Sequence, residues 1–401
     1  MNSNISDVKD GCYGCTACVA ICPKKAIKMT ESDEGFLYPQ VNKELCIDCG
    51  ICNLVCPCKT GWDKTVEFKY RVYAFENDNL SVLKKSTSGG FFSYIANYSN
   101  IKYICACAQT ENLEVKHLVK CFPCDLNIFR GSKYVQSDLG DCYNKIAIIL
   151  KNNSPILFVG TSCQVHGLKN FLRAKNVSQD NLITVDLVCH GVPSPKLYKE
   201  YLSFYEKNND VKVKRHLFRS KKYGWGSIKG VQNYLQTLIS FNEDYKSLDS
   251  NLWLNVFFSD FAIRECCYSC PYTSVNKPSD VTIGDFWGVE NVIKNKLYPM
   301  GCSLVIIRND KLYKIAQSRM FREVNTVEKN KYQQPRLNTP IKRPINRDSF
   351  WHDYRINGFK YIAKKYFGYN LKNRFFLKLY FLLINIGLVK IANKFARIIF
   401  I

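Results

Sequence analysis

CYGCTACVAICP, residues 12–23, places four cysteines within eleven residues and closes on a proline. The same spacing returns at residues 46–57 as CIDCGICNLVCP, so each copy reads C-x-x-C-x-x-C-x-x-x-C-P. In this run, three close cysteines bind one four-iron cluster and the fourth binds the cluster of the other copy. The spacing therefore predicts a bacterial ferredoxin-like N-terminal module with two 4Fe-4S clusters.

The crossed pattern divides the eight cysteines into two predicted ligand sets. The first set is Cys12, Cys15, Cys18 and Cys56, and the second set is Cys46, Cys49, Cys52 and Cys22. Zinc is the alternative, because C-x-x-C pairs are common zinc ligands, but zinc takes its thiolates as two pairs and neither copy stops at two. Cys58 lies outside the pattern and is interpreted as a bystander thiol.

The 401-residue chain is longer than one hydrophobic core usually covers, so we expect a multidomain protein. The predicted parts are a ferredoxin-type domain at residues 1–65, an α/β domain at residues 66–330 and a basic, partly amphipathic helical tail at residues 331–401. The first eleven residues, MNSNISDVKDG, are polar and contain no apolar signal-peptide segment. We therefore interpret the 20 cysteines as reduced thiols of a cytoplasmic protein.

The formal net charge of +23 raises the question of nucleic-acid binding. Residues 331–401 contain 15 Lys and Arg against 2 Asp, so this segment alone contributes +13. No zinc finger, helix-turn-helix or aromatic RNA-binding motif accompanies the charge. The sequence therefore predicts no nucleic-acid partner.

Strand-like and helical segments alternate beyond residue 70. Residues 72–77 indicate a strand, residues 86–98 a loop that leads into a helix, and residues 155–175 and 183–202 each a strand, a turn and a helix. This alternation predicts an α/β core with some parallel strand pairing. In open sheets of this class, ligands bind beyond the carboxyl ends of the strands, where the polar turns lie.

One of these turns carries features of a binding site. Gly89 and Gly90 would let backbone N–H groups approach a pyrophosphate at a helix start, although an ordinary helix cap is the alternative. Neither G-x-G-x-x-G nor a P-loop occurs in the chain.

Four further cysteines follow predicted strands or form a C-x-x-C pair: Cys163, Cys189, Cys267 and Cys270. If they converge, they would bind a third cluster, but isolated cysteines are also common as small buried hydrophobes. His190 and His166 lie close to two of these thiols, where they could tune a bound group or simply form structural hydrogen bonds.

Six motifs appear in order between about Arg71 and Arg308: STSGG, GSKYVQS, FVGTSCQVHGLKNFL, DLVCHGVPSPKLY, FRSKKYGW and IRECCYSCPYTSVNKPSDVTIGDFWG. In this series the chain resembles the beta-subunit family of hydrogenases and dehydrogenases that reduce the deazaflavin coenzyme F420, in the form with an N-terminal two-cluster ferredoxin domain. The family commonly has proline at the position of Ser162.

The resemblance implies an α/β domain that binds FAD, with a further 4Fe-4S cluster beside the flavin. Carried over residue by residue, the ligands of this third cluster are Cys163, Cys189, Cys267 and Cys270. The implied flavin-binding residues are Ser88, Gly89, Gly90, Ser132, Lys133, Tyr134, Gly160, Thr161 and Gln164.

These features predict an iron-sulfur flavoprotein oxidoreductase. Clusters transfer one electron at a time, whereas a flavin can exchange a hydride with a soluble carrier or small substrate. A ferredoxin, a nicotinamide and a sugar-derived substrate are all compatible partners, since some related bacterial chains are associated with polysaccharide synthesis. The alternative is an electron-carrier subunit that serves a partner enzyme, and no catalytic residue is assigned.

The C-terminal tail contains the apolar segment LYFLLINIGLV, residues 379–389, which is too short to span a bilayer. Lys390, Lys394 and Arg397 are spaced to share one helical face. This pattern is compatible with a peripheral contact on the inner face of the membrane or with a helix packed on protein.

Overall fold

The computed structural model describes residues 4–63, 65, 68–98, 100–219, 221, 225, 248–324, 334–388 and 391. Within these ranges, the chain forms a small N-terminal module around a two-stranded hairpin and a mixed eight-stranded sheet with helices on its faces. The large mixed sheet agrees with the predicted α/β core.

The described strands are β1 (Ile27–Glu31), β2 (Leu37–Val41), β3 (Arg71–Phe75), β4 (Tyr103–Gln109), β5 (Val115–Cys121), β6 (Ile156–Val159), β7 (Leu182–Leu187), β8 (Val281–Asp285), β9 (Ser303–Ile307) and β10 (Phe321–Val324).

The described α-helices are α1 (Ala17–Ile21), α2 (Ile51–Val55), α3 (Pro57–Thr60), α4 (Leu80–Lys85), α5 (Phe91–Ala96), α6 (Cys142–Lys151), α7 (Ser162–Ala174), α8 (Pro195–Asn209), α9 (Leu248–Phe258), α10 (Val289–Val292), α11 (Arg347–Tyr366) and α12 (Leu371–Asn385). Short 3-10 helices connect several of them, including one at Glu265–Ser269.

The eight-stranded sheet has the order β10-β3-β9-β8-β7-β6-β4-β5. Strands β4, β6, β7 and β8 run parallel to one another, and the remaining neighbours pair antiparallel. Because β9 is antiparallel to both β3 and β8, the carboxyl end of β3 lies at the same edge as those of β6, β7 and β8. The turns after these strands therefore share one edge of the sheet, which we call the carboxyl edge.

The predicted strand-turn-helix units are present. The apolar run at residues 156–159 forms the fully interior strand β6, and α7 begins after Thr161, whose side chain takes part in a capping box with Gln164. The second unit forms β7 and α8, with Ser194 accepting a hydrogen bond from the Leu197 N–H and Pro195 in the first turn. Local capping chemistry therefore fixes where each helix begins.

The N-terminal module packs against α7. Its short helices α1 and α2 each begin after a residue with left-handed backbone, Thr16 (φ 60°) and Gly50 (φ 72°). Apolar residues of both helices share one hydrophobic cluster with Leu168 and Phe171 of α7. The burial of this shared surface holds the module on one face of the sheet.

Helix α11, inside the predicted tail, packs with α8 and α9 in a second hydrophobic cluster that includes Trp351 and Trp253. No helix in the described ranges reaches the length and apolarity needed to cross a bilayer. Lys390, Lys394 and Arg397 lie outside the described residues.

His117 on β5 gives the fold a predicted pH dependence. Its Nε2 lies 3.0 Å from the Val159 carbonyl oxygen, and burial lowers its pKa to about 4. An unfolded histidine has a pKa of about 6.5, so the unfolded chain binds more protons between these values. The contribution of His117 to stability is therefore present above about pH 6.5 and is lost as the pH falls toward 4.

We expect wild-type protein to lose about 2 kcal/mol of unfolding free energy through His117 between pH 7.5 and pH 5. His117→Gln retains an N–H donor without a titrating group and should not show this part of the loss. Urea unfolding of both proteins at both pH values, followed by tryptophan fluorescence, measures the difference. Equal losses in the two proteins would contradict the prediction.

Candidate redox site

One cavity of the N-terminal module is lined by cysteines of both sequence repeats. Cys12, Cys15, Cys18 and Cys56 surround this cavity, whose empty volume is about 310 Å³, and all four are buried. Three of them come from the loop before α1 and from α1 itself, whereas Cys56 follows α2. The structure thus brings the fourth cysteine of the second repeat to the three close cysteines of the first.

A second cavity, with an empty volume of about 340 Å³, is lined by the complementary set Cys22, Cys46, Cys49 and Cys52. Cys49 is exposed, and Ile47 and Leu54 nearby are 58% and 67% exposed. This set therefore lies at the surface of the protein, whereas the first set faces its interior.

The chemistry of both sets fits iron-sulfur clusters. Backbone N–H groups of Gly14 and Ala26 donate to the Sγ atoms of Cys12 and Cys22, each at 3.3 Å. Burial raises the pKa of Cys15, and the neighbouring Cys56 raises it further. Such crowded thiols ionise readily only beside a cation, which the irons of a cluster supply, while N–H donors stabilise the charge on sulfur.

All 20 cysteines are free thiols, so no disulfide competes with these assignments. In the described part of the chain, no group of three or more His, Cys, Asp or Glu side chains is placed so that it could hold a single metal ion. The thiols of the first two sets line cavities, an arrangement that suits a multi-atom cluster.

Members of the third predicted set influence one another's pKa. Cys163 lies in the first turn of α7, Cys189 follows β7, and Cys267 and Cys270 lie in and after the 3-10 helix at Glu265–Ser269. Burial raises the pKa of Cys163, and the thiolates of Cys270, Cys189 and Cys267 raise it further. Burial raises the pKa of Cys189 to about 12, again with contributions from Cys267 and Cys270. The four side chains are therefore close enough to interact electrostatically.

Both histidines near this set form hydrogen bonds with other side chains. His166 Nδ1 lies 2.8 Å from the Tyr272 hydroxyl, and burial lowers the His166 pKa to about 4. His190 Nε2 lies 2.6 Å from Asp260 Oδ1. These contacts favour the structural interpretation of the two residues.

The first and third sets are joined through α7 and two tyrosines. A side chain at Gly167 would place its Cβ 2.9 Å from Cys15 Sγ, so the absence of a side chain lets α7 approach the first set. The rings of Tyr13 and Tyr272 meet edge to face at 5.8 Å. The thiolates of Cys163 and Cys270 help to raise the pKa of both tyrosines, which places the pair beside the third set.

The residues predicted to bind flavin fall on two parts of the carboxyl edge. The loop between α4 and α5, which lies at the carboxyl end of β3, carries Ser88, Gly89 and Gly90, and the turn after β6 carries Gly160 and Thr161. Strands β3 and β6 are four positions apart in the sheet, which is ~19 Å. At this distance, the two loops by themselves do not form one contiguous pocket.

The segment of residues 131–137 crosses the gap between these loops. At one end, the Ser132 N–H donates to Thr87 Oγ1 at 2.8 Å, and at the other, Gln164 Nε2 donates to Ser137 Oγ at 3.1 Å. Five extended residues span ~17 Å, which matches the width to be crossed. Tyr134 packs between the ends with its ring stacked on Phe257 at 4.4 Å.

Several flavin candidates are already engaged by protein atoms. Lys133 Nζ donates to three backbone carbonyls, and burial lowers the Lys133 pKa to about 8. Gln164 completes the capping box of α7, and Ser88 Oγ donates to the Cys302 carbonyl. In contrast, the neighbouring Ser162 Oγ is buried and has no hydrogen-bond partner in the structure.

Sequence reasoning did not identify two buried arginines that join the site. Arg347 of α11 binds Glu34 of the β1–β2 hairpin at 2.9 and 2.6 Å and Glu265 at 3.1 Å. Arg264 lies directly before the turn with Cys267 and donates to the carbonyl of Cys12 at 2.6 Å. Neither belongs to a spacing pattern, so only the contacts between distant segments show their positions.

Two protein families match parts of the chain. Residues 11–60 match the family described as "4Fe-4S dicluster domain", and residues 154–331 match the C-terminal region of the family described as "Coenzyme F420 hydrogenase/dehydrogenase, beta subunit". No curated protein sequence matches the chain. A solved structure of the F420-reducing NiFe hydrogenase complex from Methanosarcina barkeri is similar at 15% identity and a TM-score of 0.43, covering 76% of this chain and 94% of that chain.

Proposed function

We propose that the chain is an iron-sulfur flavoprotein oxidoreductase. Its residues 154–331 belong to the coenzyme F420 hydrogenase/dehydrogenase beta-subunit family, and its residues 11–60 form a 4Fe-4S dicluster domain. Its relation to these families makes it an iron-sulfur electron-transfer protein. The proposed addition is a flavin site that exchanges electron pairs with a soluble carrier or a small substrate.

The observation that carries this proposal is the succession of three thiol sets from the surface to the carboxyl edge. The surface set includes the exposed Cys49, the interior set contacts α7 through Cys15 and Gly167, and the third set includes Cys163 in the first turn of the same helix. Such a succession suits one-electron transfer between an external donor and a bound redox group.

The residues proposed to bind the clusters are the three sets described above, with the third set comprising Cys163, Cys189, Cys267 and Cys270. Bound clusters would supply one-electron steps, and bound FAD would supply hydride exchange. The protein holds these groups in place and keeps water from the interior set, whose four cysteines are buried. No side chain is assigned as a general acid or base.

We propose that FAD lies along the segment of residues 131–137 on the carboxyl edge. An elongated dinucleotide suits a segment that joins the loop after β3 to the turn after β6. A Cβ at Gly131 would meet no atom within 4 Å, so there is space beside this residue. The unpartnered Ser162 Oγ, in the first turn of the 13-residue helix α7, is a donor for a polar or anionic group of the ligand.

Ser162→Ala tests this placement. We expect a several-fold weaker flavin affinity, because one hydrogen bond contributes about 1 kcal/mol. The flavin-free variant should unfold at the same or a higher temperature than flavin-free wild type, since an unsatisfied buried hydroxyl is removed. Ser203→Ala, at an exposed site on α8, is the control. Unchanged flavin affinity in Ser162→Ala would contradict the placement.

The whole proposal is tested by anaerobic purification with iron, sulfide and extracted flavin quantified together. Three filled sites and one flavin correspond to about twelve irons and one FAD per chain. About eight irons and no flavin would instead support the electron-carrier subunit, whose activity would appear only with a partner enzyme. A colourless protein that contains zinc would contradict both.

We also propose a peripheral contact with an anionic membrane through α12. Leu371, Phe375 and Leu382 follow a helical repeat on this helix, and Ile386 comes directly after its last residue; the four are 83%, 65%, 56% and 60% exposed. Leu383 instead packs against the hydrophobic cluster that contains Trp351 and Trp253. An exposed apolar stripe in a segment with a charge of +13 suits a surface of anionic lipids.

We expect the double variant Phe375→Glu, Leu382→Glu to bind phosphatidylglycerol vesicles at least tenfold more weakly than wild type, because two apolar side chains no longer enter the interface. Co-sedimentation at low and high salt measures the binding. Leu297→Glu, at a leucine that is 67% exposed and lies outside the tail, is the control. If wild-type protein does not bind the vesicles, the membrane proposal is wrong.

A further inference from the structure

Arg264 is a completely buried cation at the centre of the redox site. Its side chain is 0% exposed, and all its hydrogen-bond acceptors in the structure are neutral. Nε donates to the Cys12 carbonyl at 2.6 Å, Nη1 to Gln136 Oε1 at 2.9 Å and Nη2 to the Leu37 carbonyl at 2.9 Å. The guanidinium also stacks over the ring of Tyr38, at 4.2 Å from its centroid. Each of its three nitrogens donates a hydrogen bond, but its charge is not neutralised.

No carboxylate oxygen of the described residues forms an ion pair with Arg264. The other buried arginine among them, Arg347, is 2% exposed and has two carboxylate partners, Glu34 and Glu265. Burying a charge without a counter-charge is costly, and neutral hydrogen bonds offset only part of that cost. We therefore expect an anion other than a carboxylate close to Arg264.

The thiol sets provide that anion. Cys12 contributes its carbonyl to Arg264, and its Sγ accepts the N–H of Gly14 on the other side of the loop. A Cβ at Gly14 would stand 2.5 Å from Gln136 Nε2 and 3.1 Å from Arg264 Nη1, so glycine leaves room for both side chains beside this loop. The thiolates of Cys12, Cys266 and Cys267 are also the negative groups that, together with Tyr38, act electrostatically on Arg264.

A four-iron cluster held by four thiolates carries a net charge of about −2 when oxidised and about −3 after accepting one electron. The interior set is buried, so little water is available to stabilise the added negative charge. A fixed guanidinium beside the cluster offsets this effect.

We propose that Arg264 is the residue that stabilises the reduced state of the interior cluster, held by Cys12, Cys15, Cys18 and Cys56. One electron from an external one-electron donor enters the cluster, and no proton moves, since the guanidinium stays protonated throughout. Its position directly before the turn with Cys267 gives the same charge a smaller effect on a third cluster. The proposal rests on the dicluster assignment and not on the flavin site.

The test is a potentiometric titration of the anaerobic, iron-loaded protein, followed by electron paramagnetic resonance of the reduced clusters. In Arg264→Gln, we expect the equilibrium constant for reduction of the interior cluster to fall at least tenfold, which is about 59 mV for a one-electron couple. Arg264→Lys keeps the charge and should stay within about threefold of wild type. The couple that disappears in Cys49→Ser identifies the surface cluster, which should not shift and serves as an internal reference.

Arg347→Gln is the matched control, because it also removes a buried guanidinium but one that carboxylates already neutralise. This variant leaves Glu34 and Glu265 without their counter-charge, and we expect it to shift the interior couple by clearly less than Arg264→Gln does. A shift as large as that of Arg264→Gln would show a general structural effect and would overturn the proposal. An unshifted interior couple in an iron-loaded Arg264→Gln protein would overturn it as well.

If Arg264→Gln does not retain iron, the reduction of the interior cluster in Arg264→Lys tests the proposal instead. An interior couple near the wild-type value supports the proposal, because the charge is retained while the three-way hydrogen bonding is lost. A fall of tenfold or more overturns it, because geometry would then matter more than charge. Wild-type protein with clearly fewer than eight irons per chain would instead contradict the dicluster assignment itself.

Discussion

Cys56→Ser should lose about four irons per chain, together with the magnetic signal of the interior cluster, while the surface cluster remains. Although Cys56 belongs to the second sequence repeat, it lines the cavity of the first. The Cys56 thiolate helps to raise the pKa of Cys15 and Cys18, so its sulfur lies among those of the first set. Iron analysis and electron paramagnetic resonance of the dithionite-reduced protein measure the effect.

Cys58→Ser is the matched control for this experiment. Cys58 lies two residues further along the chain, is partly buried, and interacts electrostatically with Cys12. It does not appear among the residues that line either cavity. We expect Cys58→Ser to retain both clusters. Loss of the surface signal in Cys56→Ser, with the interior signal retained, would show that each repeat binds its own cluster and would contradict the crossed arrangement.

Cys189→Ala should reduce the iron content from about twelve to about eight per chain and leave both ferredoxin clusters intact. Cys189 follows β7 on the carboxyl edge, and the thiolates of Cys267 and Cys270 contribute to its raised pKa. A cluster that loses one of four thiolates loses much of its stability, so partial occupancy is the smallest effect expected. Iron and sulfide are quantified under anaerobic conditions, as for the wild type.

Cys302→Ala is the control for the loss of a buried thiol. Cys302 is 0% exposed and packs in a hydrophobic cluster with Trp225 and Phe286. We expect this variant to keep the wild-type iron content, although its thermal stability falls modestly because a packed sulfur is removed. Equal iron contents in wild type, Cys189→Ala and Cys302→Ala would mean that the chain holds no third cluster at Cys189.

Much of the local structure was predictable from short spacings. The predicted residues 72–77 overlap the strand β3, residues 155–175 contain β6 and α7, and residues 183–202 overlap β7 and the first half of α8. Apolar runs and helix-start residues carry these signals, because they depend on interactions within a few positions along the chain. The grouping of cysteines around two cavities was likewise implied by the repeated motif.

The flavin candidates show where this kind of reasoning loses precision. A Cβ at Gly89 would clash with the Phe75 carbonyl oxygen, so glycine at this position allows close contact with the strand. Thr161 and Gln164 form a helix cap, and Lys133 binds carbonyls of its own loop. A glycine or hydroxyl in a turn has several uses, and the sequence does not distinguish them. FAD binding therefore stays a prediction for the proposed experiments.

The predicted identity and grouping of the cluster ligands follow from the repeated thiol spacing. The α/β class of the core and the start of its main helices follow from apolar periodicity and capping, which act between near neighbours. The inward orientation of one cysteine set, the crossing of the carboxyl edge by residues 131–137 and the unneutralised charge of Arg264 arise only when segments that are distant in the sequence meet. Burial and electrostatic surroundings depend on these tertiary contacts, so no single stretch of the chain determines them.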